Sequence, residues 1–445
     1  MCHRPPFVRP GIIDHPPGRG RIRRRSSLSL RPEGVAVKIR RRQKGQALFL
    51  GMVLMAVCAT AVFVMYNTSQ MATEKSRLVN AADGAAYSGA VWAARNMNFM
   101  AYTNRAMIAN HVAVGHYVSY VSWTRYVEEA IDRIEDIGKI LNAIPGGQAI
   151  HRGLVIVQRG ARGAKELTER FAPVFIRAAD SLNRGLSIAQ LAAHTSMATH
   201  AALTPQAEIM KVTASAYDPS IRINDLGDIG VLRGLGVAVD IAQETSDLQG
   251  FIRGYSAGRN DGGRMLEYSR QSYGSSRGFI DERGWGSTFV LVGFTKKNAS
   301  TTQRLGRDAD WVAEDSFEYK WPGGKWTKLA SEQASARGLT GGRYTGISSY
   351  YDVQDVTPNE GQLERFTFTA YATMPMERAR LSSLMGLETS TERMAAISRA
   401  EIFYQRPEQG FNPFNGDRGE FANVFNPFWE ARLVEPPREM LQGIL

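Results

Sequence analysis

The chain has 445 residues, 43% hydrophobic and 22% charged, with 54 Lys and Arg against 43 Asp and Glu for a formal charge of +11, and two Cys. A chain of this length can bury an adequate core without cross-links, and so few Cys exclude a disulfide-stapled scaffold. The excess charge is not spread over a folded face as nucleic-acid binding requires: thirteen basic residues and two acids lie in residues 1–46, and the remaining 41 basic and 41 acidic residues cancel.

Residues 1–46 form a basic arm. Its first 34 residues are rich in Pro, Gly and Arg, too poor in apolar side chains to offset chain entropy, and are expected to be disordered. From Ala47 to Tyr66 the chain has no charge and no Pro. As a helix, twenty such residues cross the roughly 30 Å hydrocarbon core of a bilayer. A cleaved secretory leader is the rival reading, with Ala59-Thr60-Ala61 as the cleavage site. Against it, the apolar run continues through Val62, Phe63, Val64 and Met65. The positive-inside rule puts the arm in the cytoplasm and everything after Tyr66 on the far side of the membrane.

From Asn67 the pattern is helical to about Asn142, within a helical region 67–215. Ala82, Ala86, Ala90 and Ala93 recur on one face, with Asp83 and Gly89 beside them, and make a smooth stripe for close helix approach. The stripe suits either a neighbouring subunit's helix or this chain's own second helix. Further along, Met100, Met107, Tyr102, Tyr117, Tyr120, Trp123 and Tyr126 read as core, and Glu128, Glu129, Asp132, Glu135 and Asp136, mixed with Arg125 and Arg133, as a solvated face.

The Arg-rich flank, Gly45-Gln46-Ala47, the apolar span and then Leu78-Val79-Asn80-Ala81-Ala82-Asp83-Gly84-Ala85-Ala86-Tyr87-Ser88-Gly89-Ala90 together resemble the N-terminal module of the TadE/TadG-like family of Flp (tight-adherence) pilus assembly. The resemblance covers about fifty residues. It implies a bacterial inner-membrane protein whose partners are the membrane, other pilus or secretion subunits, or further copies of itself. It also makes Gly45 and Gln46 a candidate processing site, since a prepilin is cut after such a Gly. A prepilin carries Glu five residues on, where this chain has Leu50. Some family members hold a metal at Asp-x-Ser-x-Ser, which this chain lacks, so no metal or cofactor is carried over.

Ile144-Pro145-Gly146-Gly147 is a turn signal. A second helix is expected from about Gln148 to Leu203, with apolar positions Leu154, Val157, Leu167, Phe171, Phe175, Leu182 and Leu191, closing a helical hairpin with an Ala, Met and Leu seam. Residues 216–265, dense in Gly and Asp, read as a connector with a short helix near Val237 to Ile252. There Asn224, Asp225 and Asp228 suit turns better than a calcium loop. Residues 266–445 read as a strand-rich domain, with runs at 289–294, 316–321, 366–371 and 400–404 and a hairpin tip at Trp321-Pro322-Gly323-Gly324-Lys325-Trp326. Helical pieces are expected at Lys328 to Ala336 and Met376 to Ile397. A repeated Phe-Asn-Pro-Phe, at 411–414 and 425–428, is expected to dock on the sheet.

The fold class is therefore α+β, a transmembrane helix running into a helical hairpin and then a strand-rich domain. Spacing assigns no catalytic residue. His111/His116 and His194/His200 stand five and six apart and do not share a helix face, and Gly323-Gly324-Lys325 lacks the rest of a phosphate loop. The expected function is membrane-anchored pilus assembly rather than enzymatic, with a minor pilin cleaved after Gly45 or a signal-anchored periplasmic enzyme as alternatives.

Overall fold

The computed structural model describes residues 46–141, 147–198, 205–225, 231–253, 263–275, 285–289, 293–304, 309–320, 323–353, 365–379, 393–405, 422–438 and 440. The basic arm to Gly45, the 411–414 copy of Phe-Asn-Pro-Phe, Asp228 and His200 lie outside them. The chain divides into two compact units, Met1–Phe63 and Val64–Leu445. Among the described residues, every strand, and every helix after the first, belongs to the second unit.

Helix α1 is continuous over Gln46–Leu141. No Pro lies between Pro32 and Pro145, so no residue in it lacks the N–H that the helical ladder needs. Helix α2 (Gly147–Ala198) carries Pro173 in its interior, and α3 (Pro205–Ser215) opens on a Pro, whose missing N–H costs nothing at a first helical position. Next come β1 (Arg222–Ile223), α4 (Val231–Phe251), β2 (Ile252–Arg253) and α5 (Arg264–Ser275). The strand-rich part holds β3 (Trp285–Phe289), β4 (Gly293–Gln303), β5 (Trp311–Lys320), β6 (Thr327–Ser335), the single-turn α6 (Ala336–Leu339), β7 (Asp352–Val353), β8 (Arg365–Pro375), β9 (Arg393–Tyr404) and β10 (Trp429–Val434).

Helix α2 returns antiparallel along α1. Partners on α2 fall in number as those on α1 rise, from Gln190 with Asn104, through Asn183 with Asn110, to Lys165 with Glu128. Two four-stranded antiparallel sheets follow, in the orders β1-β8-β9-β10 and β3-β4-β5-β6, with β2 and β7 paired separately.

Helix α1 serves both sheets. Its stretch from Leu78 to Met100 shares one buried cluster with α3, Phe251 and residues of β8, β9 and β10, while Met107 to Val121 share a second with α2, α5, β5 and Tyr344 to Tyr350. Helical and strand-rich regions are thus built on common cores. The 216–265 segment contributes to them directly: β1 is the edge strand beside β8, and Ile221 and Ile223 are buried.

Two helix expectations are corrected. Lys328 to Ser335 belongs to strand β6, which pairs with β5 from Tyr319↔Thr327 to Val312↔Ser335, and only at Ala336 does the single turn of α6 begin. The Lys, Leu, Ala, Glu and Gln of β6 favour helix locally, but the ladder along β5 overrides so weak a preference. In the other stretch, Met376–Ala379 is one turn of 3-10 helix and Arg393–Tyr404 is β9, paired with β8 from Arg393 to Phe403; residues 380–392 lie outside those described.

Candidate membrane span and the helix seam beyond it

The only helix among the described residues that is long and apolar enough to cross a membrane is α1. Its best window has a mean hydropathy of 2.6, and none of that window is buried. Gln46 is its first residue, and Cys58 is exposed. Two hydroxyls, of Thr60 and Thr68, donate back to the carbonyls of Ala56 and Val64 at 2.8 Å, so neither side chain presents an unpaired donor along this part of the helix.

Beyond the span the small residues take over. Ala82, Ala86, Ala90 and Ala93 have no exposed surface, Gly89 is buried, and Asp83 is half-buried at the edge of the stripe. What covers them is this chain. A methyl group built on Gly89 would stand 2.9 Å from the Sδ of Met210, and one on Gly84 3.3 Å from the ring of Tyr217. Gln206 donates to the carbonyl of Gly89 at 3.2 Å. Short side chains on α1 therefore let α3 lie close, and the sequence's open choice between an internal and an external seam falls on the internal side for these residues. Nearer the span the same helix is fastened to the sheet by Lys75, whose ammonium donates to the carbonyl of Ala395. Ser69, Thr73, Ser76, Arg77, Asn80 and Tyr217 line an open groove of about 550 Å³, in which Arg77 already faces Glu74 at 3.1 Å and Asp218 at 4.0 Å.

The hairpin seam differs from the apolar one expected. Toward the far end of α1, Arg125 meets Glu169 at 2.6 Å, Glu128 meets Lys165 at 2.6 Å and Arg162 at 3.3 Å, and Asp132 accepts from Gln158 at 2.6 Å. Of the acids read as a solvated face, Glu128 and Asp132 thus join α1 to α2, while Glu129 accepts from the Ser331 N–H of β6. Hydrogen bonds from Lys165 and Arg162 hold the Glu128 carboxyl below its usual range, while burial and the nearby Glu129 push Glu332 up. Of the aromatics assigned to the core, Tyr126 is buried, but Tyr102 and Tyr120 are exposed.

Nearer the middle, Asn104 donates to the carbonyls of Tyr351 and Val424 at 3.1 and 2.8 Å and accepts from Gln190, whose own oxygen accepts from the Tyr351 N–H. Asn98 both donates to and accepts from the backbone of Trp429, and Arg105 donates to the Phe425 carbonyl and the Asn426 side chain. The second Phe-Asn-Pro-Phe is therefore tied down by helix α1 as well as by the sheet, with Phe425 and Trp429 buried. Asn224, at a φ of 53°, accepts from the Tyr371 N–H and donates to the Thr369 carbonyl, so its side chain fastens the end of β1 to β8.

The buried polar groups are structural. Lys297 and Asp315 pair at 3.1 Å with side chains only 4% and 0% exposed; the hydroxyl of Ser122 donates to the same carboxylate at 2.7 Å, and the ammonium sits 4.6 Å over the Tyr126 ring. These residues lie far apart in sequence, and no spacing signal marks them. So deep a Ser, Asp and Lys cluster ties α1 to the second sheet. His111 is wholly buried, with Nδ1 3.3 Å from the Tyr344 hydroxyl, and burial lowers its pKa to about 4. His116 stacks on Tyr273 and His194 on Tyr351. No group of three or more His, Cys, Asp or Glu among the described residues could hold a metal.

One pentapeptide of the Gly-x-Ser-x-Gly form, Gly254-Tyr255-Ser256-Ala257-Gly258, qualifies the lack of catalytic spacing. It lies outside the described residues. The strand before it, β2, is two residues long and antiparallel to β7, unlike the sheet that carries a nucleophile elbow in α/β-hydrolases.

Residues 45–94, about a ninth of the chain, match the model of the TadE/G-like Flp pilus-assembly family, so the N-terminal region is similar to that family's domain. No curated protein matches the chain, and no solved structure does.

Proposed function

We propose that this protein is a membrane-anchored structural or assembly component of a Tad/Flp-type pilus or a related secretion apparatus, acting through anchoring and protein contacts. The basic arm stays in the bacterial cytoplasm, α1 makes one pass through the inner membrane, and the body beyond Tyr66 works in the periplasm. One observation carries this reading: within residues 45–94 a pilus-assembly match coincides with an apolar helical window of which nothing is buried. Charge supports the orientation, since the whole +11 excess lies upstream of that window.

The test is protease treatment of intact spheroplasts together with the intact mass of the N-terminus. Digestion of the body and an uncut N-terminus are expected. A body that survives protease overturns the topology, and a mature chain beginning at Gln46 replaces the anchored component by a minor pilin cleaved after Gly45.

A further inference from the structure

The apolar residues of α2 that the sequence would assign to a hairpin core mostly face away from it. Ile156, Leu167, Phe171, Val174, Leu182 and Ile188 are between 53 and 70% exposed. At the α-helical repeat they fall within about 120° of one another around the axis, on one face about 48 Å long. Between them stand Gly160, Gly163 and Gly185, where an added methyl group would meet nothing within 4 Å. The opposite face, through Ala172, Ile176, Asn183 and Gln190, is the one buried in the chain. A continuous exposed apolar stripe on a helix already packed on its other side is a surface made for another helix.

Charge says which helix. One edge of the stripe runs Arg152, Arg159, Glu166, Arg170, Arg177, Arg184, five cations to one anion, all exposed. Arg177 donates to the Thr340 carbonyl and Arg184 pairs with Asp180, whereas Arg152, Arg159 and Arg170 have no ion pair among the described residues. The other edge, at Val157, Ala164 and Phe175, is uncharged. A second copy laid antiparallel on the stripe brings arginine edge against arginine edge. Laid parallel, it sets the arginines against uncharged residues. Either way, guanidinium groups at the rim go uncompensated, which selects against self-pairing.

We infer that the exposed stripe of α2 is the docking surface for an apolar helix of a different protein, one edged with carboxylates that meet Arg152, Arg159 and Arg170. Nothing in this surface depends on which apparatus the protein serves.

The full chain in nanodiscs of uncharged lipid is titrated, by fluorescence anisotropy, with two synthetic helical peptides that share a Leu and Ala stripe and differ in edges of Glu or Lys. The Glu-edged peptide binds at least tenfold more tightly. Reversing the edge with Arg152→Glu, Arg159→Glu and Arg170→Glu together inverts the preference, and Val174→Lys abolishes binding of both while the circular dichroism of the chain is unchanged. Equal binding of the two peptides, or binding of neither, overturns the inference. So does self-association, read as a disulfide between copies of Val174→Cys in a chain whose Cys2 and Cys58 are replaced by Ser. These results leave the spheroplast and N-terminal mass measurements untouched, so the two readings fail separately.

Discussion

Three glycines in long helices give a graded test of how tightly those helices are packed. In open helix interior, Gly→Ala gains about 1 kcal/mol from reduced backbone freedom in the unfolded chain and better helix propensity. At Gly160 nothing lies within 4 Å of the new methyl group, so that gain is expected in full. At Gly89 the methyl meets the Sδ of Met210 at 2.9 Å; a thioether can swing, and gain and crowding roughly cancel. At Gly115 it meets three atoms of the Trp311 ring at 2.8 to 3.0 Å. That indole is 1% exposed and packed on Tyr273 at a centroid distance of 4.8 Å, so it cannot turn aside. Overpacking of this kind costs about 1–3 kcal/mol, which leaves Gly115→Ala destabilised by up to about 2 kcal/mol after the propensity gain. Urea denaturation of the full chain in nanodiscs, followed by Trp fluorescence, reads the order Gly160→Ala above wild type, Gly89→Ala near it, and Gly115→Ala below. A Gly115→Ala chain as stable as the Gly160→Ala chain refutes the packing of α1 on β5.

Burial of His111 gives a pH dependence. Its folded pKa of about 4 lies below the usual value near 6.5, so the unfolded chain binds the proton more readily; the contribution of the neutral form is complete above pH 6.5 and is lost as pH falls toward 4, up to about 3 kcal/mol. His111→Phe should flatten the melting profile over that interval, and an unchanged slope assigns the acid sensitivity elsewhere. Lys297→Met removes the ammonium facing the buried Asp315 carboxylate and should cost about 3–5 kcal/mol, most of it recovered by adding Asp315→Asn; failure of the second change to rescue contradicts the pairing. Asn104→Leu removes the amide that donates to the Tyr351 and Val424 carbonyls, each bond worth about 0.5–1.5 kcal/mol, and should raise proteolysis of residues 422–438 in the native chain; equal cleavage rates argue against that tether.

The parts of the fold legible in sequence are those set by neighbouring residues. The apolar start of α1 needs only twenty uncharged positions, and the length of that helix only the lack of Pro up to Pro145. The β5–β6 hairpin is placed by the tip around Gly323, which has a φ of 80°. What stays hidden depends on residues distant in sequence. Lys328, Leu329 and Glu332 become strand because β5 offers a ladder, and Glu128 becomes a seam residue because Lys165 and Arg162 stand across from it. Asn98, Asn104 and Arg105 give no periodic signal, since each is fixed by backbone atoms more than two hundred residues away. In α2 the apolar positions are visible, but not which side of the helix is covered. Its inner face holds Thr168, Asp180, Asn183, Ser187 and Gln190, polar residues that a hydrophobicity pattern assigns to water.

That inversion separates two roles that the sequence leaves merged. A small-residue stripe just past a membrane span can serve association in lipid or packing within a subunit, and residue types alone do not distinguish them. Here Ala82, Ala86, Gly89 and Ala90 are packed against α3 and the first sheet, so these small residues are covered by the chain itself. Any contact with another helix must then use a surface that folding has left open. Helix α2 has one, because the polar residues along its other side are satisfied by Asn104, Asn110, Thr345 and the Ser349 carbonyl and hold that side inward. Turning α2 over to bury Phe171 and Leu182 would strand those polar groups, each at a cost comparable to the apolar burial gained. The exposed stripe is therefore a stable consequence of the buried polar face rather than a packing defect.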